Sequence, residues 1–278
     1  MRTLKQALLD AQAQGLARID AQLLLLHTLG RDPNDRAWLL AHDIDTQPAD
    51  SAAMFDALCQ RRMAGEPVAY LTGHKAFYGL PLRVDARVLD PRPDTETLVD
   101  WALAVLANQA KPLVLDLGTG SGAVALAIQH QRPDAEVHAV DASPGALAVA
   151  QTNAQALGLP VRFWAGSWFQ PVPTALRFSA IVSNPPYVAE GDPHLRALTH
   201  EPLSALTSGA DGLDDIRTIV AQAGEHLAPG GWLLLEHGHD QGTAVRALLT
   251  AAGFEAVSTR TDLPGLDRCS GGQWAARG

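Results

Sequence analysis

Leu113-Val114-Leu115-Asp116-Leu117-Gly118-Thr119-Gly120-Ser121-Gly122 is the stretch that decides the fold. Its first half is an apolar run of strand length. Its second half carries a glycine at every second position, and the helical stretch Ala123–Ile128 follows. Strand, glycine turn and helix in that order predict a buried strand whose loop lets the backbone approach a ligand closely. Working outward, further apolar runs recur at Val137–Val140, Val161–Trp164, Phe178–Val182 and Trp232–Leu235, separated by helical stretches. Strands alternating with helices predict βαβ units, hence a Rossmann-like α/β domain with a mostly parallel sheet covered on both faces. Right-handed crossovers bring the C-terminal ends of such strands to one edge, where ligands bind.

Upstream, the chain to about Met63 reads as helices. Leu4, Leu8 and Ala11 recur at helical spacing, and Asp20 stands as a cap before Leu23 and Leu26. Met54, Phe55, Leu58 and Arg62 form an amphipathic set that stops at Gly65. From Phe77 to Leu89 the pattern turns strand-like, with Leu80, Leu82 and Val84 apolar at alternate positions and Gly79-Leu80-Pro81 as the turn signal. Pro91 and Pro93 then break regular structure, and Thr95 is positioned to cap a helix carrying Leu98, Val99 and Trp101. The expected division is a small helical domain over 1–75, a β-hairpin connector over 76–97 and the α/β domain over 98–278.

Composition narrows the function. A net charge of -9, with 21 Lys+Arg against 30 Asp+Glu, disfavours the basic stripe of an extended nucleic-acid binder. Cys59 and Cys269 have no metal-ligand spacing and fit a reducing compartment. The start lacks a signal-like apolar stretch, and the run Leu23–Leu26 is far too short to span a bilayer. A soluble, cytoplasmic protein without a membrane partner or a metal is expected.

The glycine loop has a charge signature. Asp116 sits two residues before Gly118, where a carboxylate would repel a pyrophosphate held at the helix N-terminus. A ligand with a cationic end and no phosphates suits it, and S-adenosylmethionine has both an ammonium and a sulfonium centre. Asp141 ends the second run, 19 residues past Gly122, a place from which an acid accepts hydrogen bonds from ribose hydroxyls. After the third run, Trp168 offers a flat apolar surface for a base. Gly118, Thr119, Gly120, Ser121 and Gly122 with Asp116, Asp141 and Trp168 are thus the candidate cofactor residues.

The fourth run ends in Asn184-Pro185-Pro186-Tyr187. Two prolines lock the backbone, so the Asn184 side chain and the Pro185 carbonyl point in fixed directions. If each accepts one N–H of a planar NH2 group, the nitrogen turns its π-face toward a methyl donor. Tyr187 would stack on the flat substrate group and exclude water. The two acceptors stabilise the positive charge that develops on nitrogen, so no ionised base is needed. An exocyclic amine of a flipped base would use the same arrangement, although the acidic balance of the chain counts against it.

Taken together, these residues resemble the class I methyltransferases whose Asn-Pro-Pro-Tyr motif marks N-methylation. More closely, the chain resembles the peptide-chain-release-factor glutamine N5-methyltransferases of the HemK/PrmC type. The likeness runs through Gly65-Glu66-Pro67-Val68-Ala69-Tyr70-Leu71-Thr72-Gly73, Phe77-Tyr78-Gly79-Leu80, Val88 to Glu96, Asp116 to Gly122, Asn184 to Tyr187, Glu201-Pro202-Leu203 and Gly230-Gly231-Trp232. It implies methylation of the glutamine in the Gly-Gly-Gln loop of release factors, with the helical domain helping to engage that protein. It also implies that Gly118 to Gly122, Asp141, Trp168 and Asn184 contact the cofactor, while Asn184, Pro185, Pro186 and Tyr187 hold the glutamine. A sister family acting on a ribosomal-protein glutamine shares Asn-Pro-Pro-Tyr but lacks the Pro-Arg-Pro-acid-Thr-Glu segment present at Pro91 to Glu96. Ser167 stands where many members carry an acid, so a polar contact to the adenine amino group is lost or passes to a backbone group.

Two stretches invite other readings. Glu236-His237-Gly238-His239-Asp240 could suggest a metal, but reads better as strand-end polar residues. Gly271-Gly272-Gln273 matches the expected substrate motif within the chain itself, yet belongs to a last strand rather than a mobile loop.

Overall fold

The computed structural model describes residues 2–275, and five helices open it: α1 (Leu4–Ala13), α2 (Arg18–Thr28), α3 (Arg36–Ala41), α4 (Ala49–Met63) and α5 (Val68–Thr72). Thr3 starts α1 by accepting the Gln6 amide at 3.2 Å, as short hydroxyl side chains do at N-caps. Asp20 lies inside the first turn of α2, with Ala17 at the cap position; its carboxylate instead meets Arg62 Nε at 2.7 Å and ties α2 to α4. These helices close their own core around Leu24, Leu25, Leu26, Leu39 and Phe55. With Arg196–His200 they make one of two compact units; Lys75–Leu195 and the chain from Glu201 onward make the other.

The second unit opens within the hairpin of β1 (His74–Phe77) and β2 (Leu80–Arg83), from Lys75 onward. Tyr78 and Gly79 both have positive φ, +50° and +78°, as a two-residue turn between twisted strands requires. The turn therefore lies one residue earlier than Gly79-Leu80-Pro81, and Pro81 sits within β2. The strand also stops at Arg83 instead of running to Leu89. The Asn153 side chain captures both backbone groups of Arg83, at 2.8 and 3.0 Å, and so ends the ladder.

There follow α6 (Glu96–Leu106), β3 (Leu113–Leu117), α7 (Ala123–Gln131), β4 (Glu136–Asp141), α8 (Pro144–Leu157), β5 (Val161–Ala165), β6 (Phe178–Ser183), α9 (Asp214–Ala223), β7 (Leu227–Glu236), α10 (Gly242–Ala251), β8 (Phe254–Thr261) and β9 (Asp267–Trp274). The seven-stranded sheet has the order β5-β4-β3-β6-β7-β9-β8; the first five of these strands pair in parallel, and β9 pairs antiparallel with both β7 and β8. This is the mostly parallel class I methyltransferase architecture. Alternate side chains feed opposite layers, the period that pleated strands impose. Val114, Ala180, Val182 and Leu234 join α6 and α7, whereas Leu115, Leu117, Ile181, Leu233 and Leu235 join α9 and α10.

β3 continues to β4 on one side of the sheet, and β6 continues to β7 on the other. The order of the sheet reverses between β3 and β6, and a crevice opens outside their C-terminal ends. Both motifs singled out in the sequence, the glycine loop and Asn184 to Tyr187, emerge there.

Candidate active site

The glycine loop is held by the neighbouring strand. Gly118 and Thr119 donate their amides to the Val140 carbonyl at 2.9 and 3.0 Å, and the Gly120 amide donates to Asp141 Oδ2 at 2.8 Å. Gly118, Gly120 and Gly122 have φ of +70°, +57° and +84°, a region in which a Cβ is strained. The other oxygen of Asp141 takes the Ser143 amide at 2.8 Å. One carboxylate thus organises the loop after β3 and the N-terminus of α8 together.

Asp116 is 1% exposed. Its Oδ2 accepts from Thr119 Oγ1 at 2.6 Å and from the Ala125 amide at 3.2 Å. Burial pushes its carboxyl up to about 7, against the opposing pull of those two donors. The same direction, with the same leading cause, holds for Asp141. Two carboxylates raised by desolvation in one crevice form a site that gains from a positive ligand.

Trp168 adopts φ +46°, uncommon for a bulky residue and a mark of over-determined surroundings. Its ring edge lies 3.4 Å from where a Cβ on Gly118 would stand, so the glycine is what lets the indole close over the loop. Asn153, on α8 and 1% exposed, donates to the Ser121 carbonyl at 2.9 Å as well as bonding Arg83. It clamps the hairpin to the loop.

Across the crevice, Ser183 Oγ donates to the Leu117 carbonyl at 2.7 Å, joining the ends of β6 and β3. Asn184 Nδ2 donates to Thr95 Oγ1 at 3.2 Å. Thr95 precedes α6 with helical φ and ψ and makes no capping bond; an N-cap needs an extended backbone, and this hydroxyl faces Asn184 instead. The Tyr187 carbonyl accepts from Gln241 Nε2 at 2.9 Å, and its hydroxyl reaches Glu236 Oε1 at 3.4 Å. Burial and the Glu236 carboxyl raise the Tyr187 phenol above its ordinary range.

These groups surround a cavity of about 320 Å³, within the roughly 300–1,000 Å³ span of small-molecule sites. Asp116, Gly118, Thr119, Gly120, Ser121, Asp141, Trp168, Asn184 and Pro186 line it. Gly122 does not; its Cα packs beside Leu126 and Ala150. Pro185 and Tyr187 flank Pro186 in the chain without lining this cavity, and Tyr187 packs into the apolar layer that holds α9 and α10. The far side of the cavity comes from Val88, Leu89 and Pro91 and from Pro202, Ser204 and Ala205. Glu201, whose side chain is 2% exposed, joins those two walls by accepting from the Arg92 guanidinium and, at 3.4 Å, from the Asp90 amide.

Thr95, Asn153, Glu201 and Glu236 carry no local signal of these roles. The sequence instead suggests a helix cap for Thr95, a strand-end polar residue for Glu236 and, for Glu201, a place in the Glu201-Pro202-Leu203 likeness; nothing in it singles out Asn153. His237 is fully buried with Nε2 2.7 Å from Ser270 Oγ and Nδ1 2.8 Å from the Gly238 carbonyl, whereas His239 is exposed. Gly271, Gly272 and Gln273 all lie in β9, and Gln273 Nε2 donates to the Gly230 carbonyl at 2.9 Å. Among the described residues no cluster of three His, Cys, Asp or Glu could hold a metal ion, and no helix is long and apolar enough to cross a membrane.

Family comparisons fit this geometry. The family described as "Methyltransferase small domain" matches residues 95–258, and the "PrmC N-terminal domain" matches residues 2–73. The release factor glutamine methyltransferase of Bordetella pertussis is 50% identical over 275 residues, covering 98% of this chain and 99% of that protein. This chain belongs to the release factor glutamine methyltransferase family. Another member, from Xylella fastidiosa, is 50% identical over 270 residues, covering 96% of this chain and 97% of its own. Among solved structures, a methyltransferase from Pyrococcus furiosus superposes with a TM-score of 0.55 at 16% identity, covering 78% of this chain and 100% of that one. A 16S rRNA N2 methyltransferase from T. thermophilus, solved with AdoMet and guanosine, also gives 0.55, at 21% identity over 72% of this chain and 49% of that one. These last two are likenesses of fold.

Proposed function

We propose that this chain transfers the methyl group of S-adenosylmethionine to the side-chain amide nitrogen of the glutamine in the Gly-Gly-Gln loop of a peptide chain release factor. The observation that carries the reading is that the glycine loop with its raised carboxylates and Asn184 line one cavity at the sheet's reversal point. The near full-length identity with release factor glutamine methyltransferases supports the substrate.

The residues present fit the cofactor. Asp116 and Asp141 supply negative charge for its cationic end and acceptors for its ribose, the backbone of Gly118 to Ser121 permits close approach, and the Trp168 ring offers a face for the adenine. When bound, S-adenosylmethionine supplies an electrophilic methyl carbon on a positively charged sulfur. Asn184 Oδ1 and the Pro185 carbonyl hold the glutamine NH2 in place, accept its two N–H groups and stabilise the charge that grows on nitrogen. A proton then leaves the nitrogen for solvent, so the product remains a neutral amide. Pro186 closes the wall beside Asn184, and Tyr187 follows it in the chain. The helical unit, expected over 1–75, engages the factor, and the enzyme works in the cytoplasm, where such a protein substrate is made.

Incubation with methyl-labelled S-adenosylmethionine tests the reading against a release factor, its Gly-Gly-Gln glutamine-to-alanine variant and a mixed DNA and RNA pool. Label on the unaltered factor alone, lost with Asn184→Ala, is expected. Label on nucleic acid with none on the factor would overturn the substrate.

A further inference from the structure

One glutamine amide held at Asn184 offers little surface, so a protein substrate must also be gripped around the mouth of the cavity. Among the described residues of the α/β unit, the large apolar side chains that stand strongly exposed are Leu203, Leu263 and Leu266. A single exposed leucine means little. These three, however, share the edge of the sheet at which the crevice opens. Leu203 stands between Pro202 and Ser204, both of which line the cavity. Leu263 and Leu266 belong to the turn between β8 and β9. Thr261 pairs with Asp267 and Glu236 with Cys269, which sets that turn at the C-terminal end of β7.

The turn is closed by its own hydrogen bonds. The buried Asp262 carboxylate accepts the Leu266 amide at 2.8 Å, and the Asp262 amide donates to the Leu266 carbonyl at 2.9 Å. Gly265, with φ +88°, donates to the Asp262 carbonyl at 2.9 Å. Arg268 donates to the other oxygen of Asp262 at 2.9 Å and reaches Asp94 at 3.5 Å. Asp94 immediately precedes Thr95, which lines the cavity and receives Asn184 Nδ2. One guanidinium thus ties the base of the turn to the segment that forms the wall of the site. Leu263, at the tip, stands wholly in water. A leucine presented on a closed turn is ordered before it meets a partner, so docking on it sacrifices little conformational freedom.

We propose that Leu203, Leu263 and Leu266 form an apolar docking rim on the α/β unit that seats the release factor beside its Gly-Gly-Gln loop. The inference rests on the substrate reading given above and adds to it the place and chemistry of a contact. Asp262 is paired with Arg268, and Asp267 with Arg246, so the turn presents no unpaired charge. The surface it fits is therefore an apolar patch flanking the loop, not an acidic or basic one. A second copy of this chain is the poorer occupant. Three side chains fall far short of the roughly 20–30 residues a side of a stable interface, whereas the factor is held by the cavity as well. A copy seated there would also cover the mouth through which a protein glutamine reaches Asn184.

The test uses the full chain, saturating S-adenosylmethionine and an intact release factor, with kcat and KM for the factor measured separately. Leu263→Ser should raise KM roughly tenfold, and Leu203→Ser added to it roughly a hundredfold, as one and then two leucines are denied burial. The kcat should stay at the wild-type value, the signature of binding shared equally by ground and transition states. Leu263→Met, which keeps an apolar side chain, should retain most of the wild-type KM. Calorimetric affinity for S-adenosylmethionine and the urea midpoint should not move in Leu263→Ser, because that side chain is wholly exposed. Wild-type KM in both serine variants overturns the proposal, and so does a fall in kcat with KM unmoved. A wild-type dimer in sedimentation velocity that Leu263→Ser dissolves overturns it too, by giving the rim to a second copy. An active wild type with unaffected variants sinks this inference alone; a wild type that methylates no factor sinks the reading beneath it as well.

Discussion

Replacing Gly122 with alanine, with Gly120→Ala as its control, separates two costs in the cofactor loop. Both glycines have positive φ, +84° and +57°, so an alanine at either pays for a left-handed backbone, about 1–2 kcal/mol. They differ in what the new Cβ meets. At Gly120 nothing lies within 4 Å, whereas at Gly122 it would stand 3.0 Å from Leu126 Cδ1 and 3.2 Å from Ala150 Cβ. Those atoms belong to α7 and α8: Ala150 Cβ is fixed to its helix backbone, and Leu126, like Ala150, is 0% exposed, so the few tenths of an ångström that the new methyl needs must come from a fully packed seam. Overpacking of this kind costs about 1–3 kcal/mol more. Gly122→Ala should therefore lose roughly 2–5 kcal/mol against about 1–2 for Gly120→Ala. Urea unfolding without ligand, followed by the fluorescence of the tryptophans of the α/β unit, gives both values from the shift in midpoint at constant slope. Equal losses, or a larger loss at Gly120, would refute the claim that the Cβ contacts decide the difference.

Two further outcomes are expected. Because burial raises the Asp116 carboxyl to about 7 from an ordinary 3.8, its contribution to stability is full below about pH 4 and is lost as pH rises through 7. Denaturation of the ligand-free protein across that window should show less loss in Asp116→Asn than in the wild type, and a cationic ligand should bind more tightly as pH rises, with protons released. Titration calorimetry of S-adenosylmethionine in two buffers of different ionisation enthalpy reads that release, and zero protons at pH 6.5 would contradict it. Arg92→Ala should cost about 3 kcal/mol, the lower end for stranding a buried charge, because Glu201 is 2% exposed in its side chain and Arg92 is its charged partner. Adding Glu201→Gln should recover part of that loss in the same urea assay.

The motifs were legible because each is local. A five-residue apolar run, glycines at alternate positions and two consecutive prolines act through backbone conformation within a few residues, and β3, β4, β5 and β6 coincide with the runs read from the sequence to within a residue or two. The antiparallel β8 and β9 were harder to read. Glu255, Ser258, Thr259 and Arg260 make no apolar run, since one face of an edge strand meets water, and Gly271 and Gly272 are buried only because neighbouring strands cover them. Asp20 and Thr95 were both read as caps. Each has instead a partner distant in sequence, Arg62 and Asn184 respectively, and a charged or hydroxyl side chain goes to whichever partner the fold supplies.

By itself the sequence determined the α/β alternation, the glycine loop with its flanking acids and the Asn184 to Tyr187 turn, all set by neighbours along the chain. The tertiary structure alone decided that the loop and the turn share one cavity, that Asn153 clamps a hairpin to the loop, that Asn184 meets Thr95 and that Tyr187 meets Glu236. Those pairings join residues 32 to 89 positions apart. They exist only once the sheet reverses direction between β3 and β6, because that reversal brings the two strand ends, and the buried groups beneath them, within hydrogen-bond reach.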